Sequence, residues 1–122
     1  MVQPLAIILN DRVVVGAQLE QKLEGLDYRV MITDNPDGLA ALCVEHKPLV
    51  VLLDLAEPRF LEVVVSLRAV EETRHVPVIG YATEATDEFQ AKATGAGVSL
   101  VATDSAVLQH LKQLLDQALR VD

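Results

Sequence analysis

Lys47-Pro48-Leu49-Val50-Val51-Leu52-Leu53-Asp54-Leu55-Ala56-Glu57-Pro58 carries an unbroken aliphatic run, Leu49 to Leu53, between a proline and an aspartate. Five residues is the length of a strand. A run this rich in Val and Leu suits a strand covered on both faces, as in a parallel sheet packed between helices. Four other runs repeat the pattern: Leu5 to Leu9, Tyr28 to Ile32, Val76 to Tyr81 and Val98 to Val101, each bounded by Pro, Gly, Asp or Asn.

The segments between these runs have helical spacing. Leu19, Leu23 and Leu26 mark a first helix ending near Gly25, and Leu39, Ala40, Leu42 and Cys43 lie on a second. Phe60, Val63, Val64, Leu67 and Val70 define a third. Glu84 to Thr94 offers only Phe89, Ala91 and Ala93, so the fourth helix is expected to be the most mobile. Val107, Leu108, Leu111, Leu114, Leu115 and Ala118 form the fifth, with Asp104 or Ser105 placed to cap its first turn. Strands alternating with helices require right-handed parallel crossovers. The expected fold is therefore α/β: a flavodoxin-like doubly wound five-stranded parallel sheet of order 2-1-3-4-5 with five helices, one domain over residues 1–122.

Composition narrows the function classes. Hydrophobic residues make up 51% and aromatics only 3%, so the core is aliphatic. A net charge of −8 with no Lys/Arg cluster repels a phosphate backbone, so no nucleic-acid partner is expected. Val2 to Leu9 is apolar but too short to span a bilayer and lacks a basic flank, which reads as a cytoplasmic protein with no membrane segment. Cys43 is the only cysteine and is expected in the core, while His46, His75 and His110 are scattered without ligand spacing and are expected at the surface.

A doubly wound sheet places its site outside the carboxyl ends of the strands, where the winding reverses between strands one and three. The residues there are Asn10 to Arg12 and Asp54 to Glu57. Adjacent parallel strands lie about 4.8 Å apart, so Asp11 and Asp54 can converge on one cation. The competing reading is purely structural, with Asp54 capping a loop and Asp11 starting a turn.

The stretch from Lys47 to Pro58, with Pro58 four residues after Asp54, resembles the third strand and following loop of the receiver domain of bacterial response regulators of the chemotaxis-regulator type. Val76-Pro77-Val78-Ile79 is similar to the start of that family's fourth strand, and Gly95-Ala96 to the small pair before its fifth. The resemblance runs from Leu5 to Leu119. It implies that Asp54 is the phospho-acceptor, a carboxylate nucleophile toward a phosphohistidine or an acyl phosphate. It further implies Mg²⁺ held by Asp11, Asp54 and the backbone carbonyl of Ala56.

Several positions depart from that pattern. The family's pair of acids ending strand one is Asn10-Asp11 here, followed by Arg12, so any Mg²⁺ is expected to bind weakly. The hydroxyl position ending strand four is Ala82, with Thr83 beside it. The lysine position after strand five is Ala102, followed by Thr103 in place of proline, and the mobile aromatic of strand five is Ser99. A pseudo-receiver is expected: a signalling domain of a two-component, phosphorelay-type system that binds a sensor kinase or output protein irrespective of phosphorylation. Such a domain is not an enzyme, and the face of helix four, strand five and helix five is the candidate docking or homodimer surface. Arg12 would pair with Asp54 or Asp11 and close the pocket without metal. Two alternatives stand beside this reading. One is an active receiver phosphorylated on Asp54 with Mg²⁺. The other is a flavodoxin-like small-molecule binder, although Asp11-Arg12-Val13-Val14 occupies the place of a glycine-rich phosphate loop.

Overall fold

The five aliphatic runs form the sheet, and the computed structural model describes residues 3–119. Strands β1 (Leu5–Leu9), β2 (Arg29–Thr33), β3 (Val50–Asp54), β4 (Val78–Ala82) and β5 (Leu100–Thr103) are all parallel and ordered β2-β1-β3-β4-β5. The doubly wound order read from the sequence holds. Strand bounds shift by one or two residues, because register with the neighbour rather than hydrophobicity sets where pairing starts. Ser99 thus precedes β5 instead of lying in it. Val2, the first residue of the opening apolar stretch, lies outside the described residues.

Alternation divides the core into two layers. Leu5, Ile7, Leu9, Val51, Leu53 and Val78 face α2 (Leu39–His46), α3 (Phe60–Ala69) and α4 (Asp87–Ala96). Ala6, Ile8, Val50, Leu52, Ile79 and Tyr81 face the other way, toward α1 (Val13–Gly25), α5 (Asp104–Gln109) and α6 (Leu111–Leu119). Every residue of β1, β3 and β4 is buried. This double covering is why those three strands carry no polar alternation.

Among the described residues six α-helices stand where five were expected, with one 3-10 turn at Pro36–Gly38 before α2. The last expected helix divides at His110, whose backbone leaves the helical region (φ −125°, ψ 31°). Its cap also differs. Thr103, not Asp104 or Ser105, accepts the Ala106 N–H on its side chain at 3.1 Å. Cys43 is buried, which pushes its thiol up to about 11, and all three histidines are exposed.

The opposite end of the sheet is stitched by Arg68. Its guanidinium donates to the carbonyls of Gly97 (2.7 and 3.0 Å), Arg74 (2.7 Å) and Val76 (2.7 Å), joining the loops that lead into β4 and β5. Gly97 sits at φ +120°, and a Cβ there would lie 2.9 Å from Arg68 Cγ, so glycine admits both the turn and the arginine. Arg68→Met keeps the aliphatic packing and leaves three carbonyls without this donor. Urea unfolding is expected to show a loss of about 2 kcal/mol, and a loss below about 0.5 kcal/mol would mean that water replaces the fork without penalty.

Candidate functional site

Asn10 sets up the pocket. Buried at the end of β1, it donates its Nδ2 to the Arg12 carbonyl (2.9 Å) and accepts the Arg12 N–H on Oδ1 (3.0 Å), closing the turn from β1 into α1. Gly16 makes room for it, since a Cβ there would come within 2.5 Å of Asn10 Nδ2. An amide is suited to this task because it offers a donor and an acceptor at once, which a carboxylate does not.

The turn aims Arg12 across the carboxyl edge of the sheet. Its Nε donates to Asp54 Oδ2 (2.7 Å) and its Nη2 to Asp54 Oδ1 (3.1 Å), a two-pronged pairing on the carboxylate that ends β3. The same guanidinium reaches Asp104, with Nη1 to Oδ2 at 2.8 Å and Nη2 to Oδ1 at 3.1 Å. Asp54 Oδ1 also accepts the Ala56 N–H (2.9 Å), and Asp104 Oδ2 accepts the Thr83 hydroxyl (3.2 Å). The side chain of Asp54 is 2% exposed and that of Arg12 is 31% exposed, so the pairing closes the mouth of the pocket. Below it lies Tyr81, whose ring centroid is 5.8 Å from the guanidinium carbon. Its hydroxyl is buried without a hydrogen-bond partner among the described residues.

The electrostatics follow from these contacts. The hydrogen bond to Asp104, and then that to Asp54, hold the Arg12 guanidinium above its ordinary value against the opposing effect of burial. The bond from Arg12 holds Asp104 below the usual carboxylate range. Burial, reinforced by the nearby Asp54 charge, pushes the Tyr81 phenol well up, so it stays neutral.

The site residues read from the sequence are brought together only in part. Arg12 meets Asp54, as one branch of the expectation had it. Asp11 does not join them: it is exposed and is not a partner of Arg12 or Asp54. Ala82 and Ala102 are buried methyl groups, and Ala102 lies in register with Tyr81 on β4. The Oγ of Ser99 accepts the Val78 N–H (3.1 Å), which ties the residue before β5 to the start of β4. Thr83 spends its hydroxyl on Asp104 rather than on Asp54. Sequence reasoning missed Asp104 in the pocket by assigning it to a helix cap. The strand-end rule that selected Asp11 and Asp54 would have found it if applied to β5 as well.

A Mg²⁺ of the kind the resemblance implies needs carboxylate oxygens of its own. Both oxygens of Asp54 already accept from Arg12, and no three His, Cys, Asp or Glu side chains among the described residues stand close enough to share a metal. As arranged, these residues do not fit the ion.

No family model matches the sequence, and no curated protein matches it. Solved structures do. A chemotaxis protein, CheY4 of Vibrio cholerae, superposes with a TM-score of 0.87 at 16% identity, covering 97% of this chain and 100% of its own. The fold is that of a response-regulator receiver domain. The same receiver architecture is seen in a response regulator from Hahella chejuensis, with TM-score 0.85, 18% identity, and 98% and 97% of the two chains covered. The receiver domain of a sensor histidine kinase from Pseudomonas aeruginosa, solved with magnesium coordinated in its active-site cleft, gives 0.86 at 19% identity over 97% and 98%. At such identities the likeness establishes the architecture, and what this receiver-fold pocket does must be argued from its own residues.

The Asp104 carboxyl is held below its unfolded value, so its pairing stabilises the folded state fully above the unfolded pKa of about 4, and that stability drains away as pH falls through the lower folded value. Asp104→Asn lacks this titration. The stability gap between wild type and Asp104→Asn, measured by urea unfolding, is therefore expected to narrow as pH drops from about 6 to about 3. A gap that stays constant across that range would show that the Asp104 charge does not contribute.

Proposed function

We propose that this domain is a receiver-fold signalling module that docks a partner protein, a sensor kinase or an output protein, irrespective of phosphorylation. The observation that carries the reading is the two-pronged grip of Arg12 on Asp54. A carboxylate acts as a nucleophile toward a phosphoryl group only with a free lone pair and with cations or donors that stabilise the charge developing on the transferred group. Here both oxygens of Asp54 already accept from Arg12, Oδ1 also from the Ala56 N–H, and the two flanking strand-end positions, Ala82 and Ala102, are methyl groups that donate nothing. The nearby hydroxyl of Thr83 is committed to Asp104. The pocket acts as a closed structural joint, needs no Mg²⁺ and performs no enzymatic step.

The second reading keeps Asp54 as a phospho-acceptor with Mg²⁺. It is favoured by the burial of Asp54 at the end of β3 and by the partial exposure of Arg12, which has Asp104 to fall back on if it releases Asp54. Incubation with acetyl phosphate and Mg²⁺, read by intact mass, separates the two. The unmodified mass is the expected result. A phosphate-sized increase that vanishes in Asp54→Asn would establish the second reading instead.

A further inference from the structure

Six large aliphatic side chains are exposed among the described residues, and none lies on α4, β5 or α5, the face first considered for docking. Two of them, Val13 and Ile32, stand at one groove. Val13 (85% exposed) and Val14 (70%) stand on the first turn of α1, and Ile32 (42%) stands on β2, the edge strand beside it. Val13 and Ile32 border a groove of about 560 Å³ between α1 and the edge of the sheet. Gly16 and Ala17 contribute so little side chain along its wall that the groove stays open.

The start of α1 is poorly made for solvent. Three consecutive β-branched residues, Val13 to Val15, open the helix with no acidic residue in the first turn and no side-chain cap. Each valine there loses side-chain rotamer freedom against the helix, so three in succession make a weak first turn. Exposed aliphatics collected beside a concavity, at a cost to local helix stability, mark a surface that something covers.

The charge around the groove says what covers it. Asp11, Glu20 and Asp34 stand among its lining residues, and none forms an ion pair among the described residues. Among the described residues that line the groove Arg12 is the one cation, and its guanidinium is turned away into the pocket by Asp54 and Asp104. A second copy of the chain, at a net charge of −8, is repelled from such a rim. We infer that the groove between α1 and β2 receives an amphipathic helix of a partner protein that sets aliphatic side chains on Val13 and Ile32 and lysines or arginines against the acidic rim. Aliphatic anchors recurring on one face of a helix suit a side-chain-lined groove, and opposite charges at the rim fix register and speed association. The inference rests on the docking role proposed above and adds its surface and chemistry. Asn10 serves both, because the turn it closes aims Arg12 at Asp54 and presents Val13.

The test uses the whole chain, labelled with nitrogen-15. It is titrated with a synthetic amphipathic helix bearing leucines on one face flanked by lysines, and separately with the same peptide carrying glutamate for lysine. The lysine peptide is expected to bind with a Kd of about 1 mM or tighter, to shift amides of Val13 to Ala17 and Ile32 to Asp34, and to weaken as salt is raised. Val13→Ser combined with Ile32→Ser is expected to weaken it about tenfold; both side chains are exposed, so the variant keeps the wild-type dispersion of its spectrum. Equal binding of the glutamate peptide, shifts centred elsewhere, or no shift with the lysine peptide would each overturn the inference. The mass measurement with acetyl phosphate is unaffected by any of these outcomes, so the two readings fail separately.

Discussion

A single guanidinium holds the working end of this domain together. Arg12 leaves the turn after β1 and bonds the carboxylate that ends β3 and the one that opens α5, while Thr83, just beyond β4, ties onto the second of these. Four of the five strand ends are thereby joined through one side chain. The net stabilisation from such a pair is modest, because desolvating the charges cancels most of their attraction. Breaking a buried pair by deleting one partner costs about 3–5 kcal/mol, since the other charge is left behind. That asymmetry makes the joint a constraint on geometry more than a source of stability. Asp54, almost fully buried, has to keep a cation, and the cation supplied is covalently part of the chain.

Tyr81 shows how far the surroundings have adapted to that cation. A buried phenol without a partner is unfavourable by about 1–3 kcal/mol, yet its ring lies beneath the guanidinium, where the attraction of a cation for an aromatic face offsets part of the penalty. The small residues nearby belong to the same arrangement. Ala102 stands in register with Tyr81, and its short side chain leaves space on the layer that the ring occupies. Ala102 is thus a packing residue beside the ring that lies under the arginine.

The architecture was legible because its signal is additive. Five aliphatic runs, helical spacing between them and the crossover rule each point to the same sheet, and an error of two residues at a strand end changes nothing in the topology. The pocket was legible less evenly. Asn10, Arg12 and Asp54 stood out because they lie at the switch point. The roles of Asn10 and Asp104 did not, because an amide closing a turn and an aspartate after a strand look alike on paper whether they serve a loop, a helix cap or a neighbouring charge. The capping task went to Thr103, one residue earlier, and this choice freed Asp104 to face Arg12. Likewise the break at His110 cannot be read from periodicity, since Val107, Leu108 and Leu111 keep helical spacing on both sides of it.

By itself the sequence determined the class of fold, the strand order and an aliphatic core covered on both faces of the sheet. Only the tertiary structure decided which carboxylates Arg12 would take. Asp11 is adjacent to it in the chain yet is not its partner, while Asp54 and Asp104 lie 42 and 92 residues away and are. The physical reason is that hydrophobic period and chain connectivity are local properties, readable along the sequence, whereas the pairing of charges depends on side-chain direction across strands brought side by side. That direction is fixed only when the turn at Asn10, the cap at Thr103 and the register of four strands are all in place at once.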